Sequence, residues 1–219
     1  MQIKVKFNET EITLRRKIID EFTKQFNSRA MSRIHTLRNS IALLFSETVC
    51  SSATVLSLSS GYLKGHFGLI SGETKITQLK EALYNSVKVD FQPLKSNINN
   101  ISGGLTITAL QDGYPELTEN SDFYYLSGEK QYKIEWLKWL LLEGSNVIIS
   151  DYSIRFKGSS NKAIFNDSRS GFAIMVKGGT WRVPTTYSGT ESNNFITRSL
   201  NSSFYSKLTK IIKNELSNL

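Results

Sequence analysis

The chain has one cysteine, Cys50, which excludes an intramolecular disulfide and reads as a small buried hydrophobe in a reducing cytosol. Its two histidines, His35 and His66, lie far apart with no paired cysteines, so no zinc-ligand spacing exists. Prolines number three, and no Gly/Ser linker or charge run marks a boundary. One α+β domain over residues 1–219 is therefore expected, with a hairpin and loop protruding at 168–194. Nowhere do about 18 apolar residues follow one another, and the opening MQIKVKF lacks a signal-peptide run, so a soluble chain with no membrane partner is expected. Catalytic signals are missing too. There is no Gly-x-Ser-x-Gly elbow and no phosphate-binding Gly-x-x-x-x-Gly-Lys-Ser/Thr loop. The Ser-x-x-Lys spacings at Ser127–Lys130 and Ser159–Lys162 are what a serine-rich chain produces by chance, and Glu143, Asp151 and Asp167 have no metal-binding spacing. Catalytic residues, metal ligands and cofactors are all expected to be none.

What the chain does have is positive charge, a formal +8, unevenly spread. Residues 1–40 carry nine basic side chains against four acidic ones, whereas Asp112 to Glu129 holds five carboxylates and no Lys or Arg. Such polarity suits neighbouring copies docked basic end to acidic loop, as a ring requires. It equally suits a solvated surface with no partner.

Gln2 to Phe7 alternates through Ile3, Val5 and Phe7 and reads as a strand. Asn8, with Glu11 three residues on, has the spacing of a capping box. Ile18, Ile19, Phe22, Phe26, Ala30, Ile34, Leu37, Ile41, Leu44 and Phe45 then hold one broad face. That pattern predicts a helix of about 35 residues and about 50 Å, the alternative being two ordinary helices broken near Asn27. A helix from Ala53 to Gly65 or Gly68 and another from Thr74 to Val87 follow. Strands are expected through Val87, Val89 and Phe91 and through Ile101, Leu105 and Ile107, around a polar turn at Asn97 to Asn100.

The acidic segment holds Tyr114, Phe123, Tyr124 and Tyr125 and is too apolar for disorder. Ile134 to Leu142 reads as a helix with Gly144 as its cap, and Trp136 and Trp139 mark either a deep core or an interface anchor. Val147 to Phe156 reads as a strand. In the last helix Leu200, Phe204, Leu208, Ile211, Ile212, Leu216 and Leu219 make one stripe, with Lys207, Lys210 and Lys213 opposite. The fold class is α+β: a mostly antiparallel sheet of about four to six strands with an extended β-hairpin, on which the long N-terminal helix and the amphipathic C-terminal helix pack.

The richest stretch runs from Ser168 to Leu200, SRSGFAIMVKGGTWRVPTTYSGTESNNFITRSL. Phe172, Ile174 and Val176 alternate before Gly178-Gly179, and Trp181 and Val183 alternate after it. This predicts a hairpin turning at the two glycines and ending at Pro184. SGFAIM, WRVP, SGT and NNFITRSL together resemble the C-terminal part of neck or tail-completion proteins of tailed bacteriophages, in which an extended ribbon leads through a Gly-Thr loop into the last helix. Phe195, Ile196, Thr197, Arg198 and Leu200 occupy the helix opening, and Ser102-Gly103-Gly104-Leu105 is a weaker similarity. The segment from Tyr114 to Gly144 has no equivalent in compact members, and the first part of the chain matches only in element order.

The resemblance implies a virion structural protein at the neck or tail end, made in the host cytoplasm. It would form an oligomeric ring and would join head to tail, with other neck, adaptor and tail proteins as partners. The passing DNA would be contacted without sequence specificity, and no cofactor is implied. On that reading Lys177, Gly178, Gly179, Trp181, Arg182, Tyr187, Asn194 and Phe195 are subunit or partner contacts, and Arg29, Arg33, Lys207, Lys210 and Lys213 face DNA. The residues alone leave blander readings open: a core plug for Trp181, and a solvated position for Arg182, Arg29, Arg33 and the lysines. A second function class, a free basic nucleic-acid-binding protein using Arg15, Arg16, Arg29, Arg33 and the Lys207 face, also remains.

Overall fold

A computed structural model describes residues 9–67, 69, 71–97, 100–127, 132–144, 147–156 and 173–217. The expected strand at 2–7 and Asn8 lie outside the described residues. The long helix α1, Glu11–Cys50, runs unbroken through Asn27 and Ser28 for 40 residues, about 60 Å. Its cap is Thr10 rather than Asn8, the Thr10 side chain accepting the Thr13 amide. Next come α2 (Ala53–Ser60), α3 (Tyr62–Phe67) and α4 (Gly72–Ser86). The single helix expected from Ala53 divides at Gly61, where a Cβ would lie 2.9 Å from Ser57 Cα. Ser57 Oγ accepts the Leu63 amide at 3.0 Å and so starts the second piece.

Strands β1 (Val87–Ser96) and β2 (Ile101–Ala109) form the expected antiparallel pair, in register from Val87↔Ala109 to Gln92↔Gly104. The register shifts at Pro93, which cannot donate to a ladder. There the chain needs Gly103, at φ +108, because a Cβ would sit 2.6 Å from the Pro93 carbonyl. This ribbon climbs the N-terminal half of α1. Asn27 holds it in both directions, Nδ2 donating to Leu94 O at 2.9 Å and Oδ1 accepting the Leu94 amide at 2.7 Å. Phe26 meets Phe91, and Ser96 Oγ donates to Asp20.

Beyond β2 lie α5 (Pro115–Thr118), a 3-10 turn (Ser121–Phe123), β3 (Tyr125–Ser127), β4 (Tyr132–Ile134) and α6 (Trp136–Leu141). Tyr114, Leu117 and Phe123 are buried, as is every residue of α6 except Lys138. Trp136 is packed edge-on to Phe123 at 5.9 Å, so α6 lies in the core rather than at an interface. Its cap is Leu142, not Gly144.

Strands β5 (Val147–Phe156) and β6 (Ala173–Arg182) pair antiparallel, and α7 (Phe195–Ser199) and α8 (Ser202–Ser217) follow. The turn expected at Gly178-Gly179 does not form. Residues 173–182 are one strand, and β5 rather than a second arm is their partner. Pairing passes from Ser150↔Thr180 to Tyr152↔Lys177, so the two glycines sit opposite Asp151 as a bulge. A ten-residue partner strand offers more ladder bonds than a tight turn would leave. Among the described residues the strands make three two-stranded antiparallel ribbons, where a single larger sheet was expected. The class is α+β.

One apolar cluster joins Leu37, Ile41, Phe45 and Val49 of α1 to Leu58, Leu63, Leu79 and Leu83, to α6, and to Phe195, Ile196 and Phe204. Arg38 ties α1 to the end of α4, its Nε donating to Val87 O at 3.0 Å and an Nη to Tyr84 O at 2.9 Å, with the guanidinium 4.8 Å from the Tyr84 ring centre. Lysine cannot reproduce that fork. Arg38→Ala should lower stability by about 2 kcal/mol in urea unfolding, with Arg38→Lys recovering less than half.

Candidate assembly surface

The loop from Pro184 to Asn194 is held by two residues whose surroundings leave no freedom. Gly189 lies against α6, where a Cβ would be 2.5 Å from Asn194 Cβ and closer still to the Leu140 carbonyl. Its own carbonyl accepts the Gly144 amide at 2.8 Å. Asn194, fully buried, caps α7: Oδ1 accepts the amides of Ile196 and Thr197 at 3.0 and 3.1 Å. Thr197 Oγ1 reciprocates by accepting the Asn194 amide at 2.9 Å. The Asn194 amide group then donates to Tyr114 Oη at 3.0 Å and to Thr190 O at 2.9 Å. Tyr114 Oη in turn donates to Glu191 O at 3.0 Å, so the acidic segment is clasped to this loop.

The expected contact residues therefore separate. Asn194 and Phe195 are inside the fold and are not surface contacts. Their apolar or hydrogen-bonded surroundings account for them without a partner. Tyr187 is half-buried against the core, and Arg182 is exposed at the end of β6. Lys177, Gly178, Gly179 and Trp181 lie along β6, with both glycines in the bulge.

Of the basic candidates, Lys207, Lys210 and Lys213 are exposed along one side of α8, and Arg29 is half-buried on α1. Arg33 is exposed and faces Glu215 at 3.9 Å, linking α1 to the end of α8. The basic candidates fall on two helices. No family model, curated protein or solved structure matches this chain. Function therefore rests on the chain's own residues.

Two features escaped the sequence pattern. Tyr114 was readable as a packed aromatic but not as the hydroxyl that joins two segments. The other is the free end of α1, where Ile12 is 66% exposed, Ile18 60% and Phe22 51%, although Ile18 and Phe22 belong to the periodic face expected to be buried. Among the described residues the β1–β2 ribbon reaches this half of the helix, as Ser96 meets Asp20, yet leaves these side chains exposed. Along this end Arg15, Arg16, Lys24 and Arg29 make no ion pair among the described residues, while Lys17 pairs with Glu9. In the acidic segment Asp112, Glu116 and Glu119 are exposed and likewise make none among the described residues.

Among the described residues no group of three or more His, Cys, Asp or Glu side chains is placed to hold a metal ion. No single described helix is long and apolar enough to cross a membrane. Cys50, half-buried at the end of α1, has its thiol pushed up to about 11, chiefly by burial, with Lys80 pulling the other way. Folding thus favours the protonated form. Its stabilising contribution is present in full below the ordinary value of 9.0 and is lost as pH rises towards 11. Alkylation by iodoacetamide at neutral pH should be slow in the folded protein and fast in urea, as read by mass shift.

Proposed function

We propose that this chain is a structural part of a tailed-phage virion: an oligomeric neck or tail-completion component joining the head, through its portal or adaptor, to the tail. The observation that carries the reading is where the resemblance falls. SGT and NNFITRSL supply Gly189, Asn194, Phe195 and Ile196, which make the buried junction between loop, α6 and α7. A likeness in such residues is a likeness of architecture, and it brings no reactive group with it. The exposed apolar residues of α1 and the separate basic and acidic stretches further suit a protein that works by packing against copies of itself and against neck, adaptor and tail proteins. The role is not enzymatic and takes no cofactor; DNA would pass without sequence-specific contact.

An amber mutation in its gene tests this. Electron microscopy should then show filled heads and separate tails, and normally joined particles would refute the proposal. A second reading, a free nucleic-acid-binding protein, draws support from the exposed Lys207, Lys210 and Lys213. It calls for duplex binding that weakens as salt rises, with a flatter slope when the three lysines become alanine. Binding alone does not favour it, since a collar around DNA binds too; binding by a protein that is missing from virions does.

A further inference from the structure

We infer that the exposed N-terminal part of α1 docks on the acidic face of a second copy of this chain, around Asp112, Glu116 and Glu119. This rests on the ring reading above and gives that ring its contact. Leu14, Ile18 and Phe22 follow one another at four-residue spacing, one ridge of the helix, and all three are exposed. The ridge continues core packing already in place, because Phe22 stacks on Phe26 at 6.1 Å and Phe26 meets Phe91 of β1. Further along α1, Arg33 meets Glu215 near the end of α8. An apolar ridge left exposed beside the ribbon that packs on the same half of the helix is a surface for another molecule.

Charge selects that molecule. Arg15 and Arg29 fall on the ridge's side of α1, with Lys24 further round and Arg16 on the opposite face; none of the four has a carboxylate partner, and Asp112, Glu116 and Glu119 lack cation partners, among the described residues. Among the described residues neither set meets an opposite charge. Each is the complement of the other on a neighbouring copy. The acidic face also offers apolar surface, with Leu110, Pro115 and Tyr124 half-buried beside its carboxylates. Glu191 adds to it, since Tyr114 holds that loop close. Phosphate backbone would meet the cations but leave the apolar ridge uncovered. An anionic bilayer would meet both, yet Glu11 and Glu21 flank the ridge and oppose it. Because the two surfaces differ, the contact is head-to-tail and closes into a ring if its rotation closes.

Sedimentation velocity on the full chain is the test. Wild-type protein should associate, and Ile18→Asp with Phe22→Asp should sediment as a folded monomer, its circular dichroism unchanged because both positions are already exposed. Charge reversal sharpens it. A variant with Arg15→Glu and Arg29→Glu, and another with Glu116→Lys and Glu119→Lys, should each be monomeric alone and should assemble when mixed, since each restores the other's complement. The inference is overturned if wild type stays monomeric, if the double-aspartate variant associates as wild type does, if the mixture fails to assemble, or if the helix instead binds anionic vesicles. Presence in virions together with any of these outcomes would sink the contact but leave the neck reading standing; absence from virions would sink the neck reading whatever the sedimentation shows.

Discussion

Gly189→Ala should leave little folded protein. The added methyl has nowhere to go, since it would sit 2.5 Å from Asn194 Cβ, 2.8 Å from Asn194 Cα and closer still to the Leu140 carbonyl. Two of these three neighbours are backbone, which a rotamer change cannot move. Displacing the loop would also lengthen the bond from the Gly144 amide to Gly189 O and would break the seat of Asn194. Overpacking of this kind costs about 3 kcal/mol or more, a large part of the stability of an ordinary domain. Urea unfolding followed by circular dichroism, with soluble yield beside it, reads the effect. A midpoint within error of wild type would mean that the loop is not packed on α6 as described.

The second large effect is expected from Asn194→Ala. The side chain supplies both acceptor bonds at the start of α7 and donates to Tyr114 Oη and Thr190 O, all in a fully buried position. Losing a cap costs about 1 kcal/mol, and each buried group left without a partner adds about 1 kcal/mol or more, so about 3 kcal/mol in total is expected. Tyr114→Phe removes one member of the same network and should cost about 1 kcal/mol. The double variant should cost less than the two singles added together, because they share a bond. Full additivity in unfolding midpoints would show that Tyr114 and Asn194 do not act together. Since Tyr114 belongs to the acidic segment, both variants should also loosen that face and weaken self-association beyond their effect on stability.

How much of this was readable in the sequence depends on how far each contact reaches. The unbroken course of α1 was legible because its apolar spacing keeps phase through Asn27. Which half of it is covered was not, since periodicity identifies a face and is silent about what packs on it. Ile18 and Phe22 therefore looked like core. Gly178-Gly179 is a strong local turn signal, yet β5, a partner more than twenty residues earlier, turned the pair into a bulge. Asn194 was assigned to the surface with its loop, although Asn-Phe-Ile-Thr has the spacing of a reciprocal cap. Its buried role depends on Tyr114, 80 residues away, and no local pattern carries that. The core placement of α6 was one of two open readings, and the bulk of Trp136 and Trp139 on several faces pointed to it correctly.

Quantitative mass spectrometry of purified, nuclease-treated tailed particles from the source of this chain tests most directly whether it is a virion part. A neck or tail-completion role requires the polypeptide in intact particles at a low, fixed copy number, far below the major capsid protein and unchanged by washing in high salt. Its absence from such particles, with abundance in the infected or native cell, would contradict that role and leave the nucleic-acid-binding reading in its place.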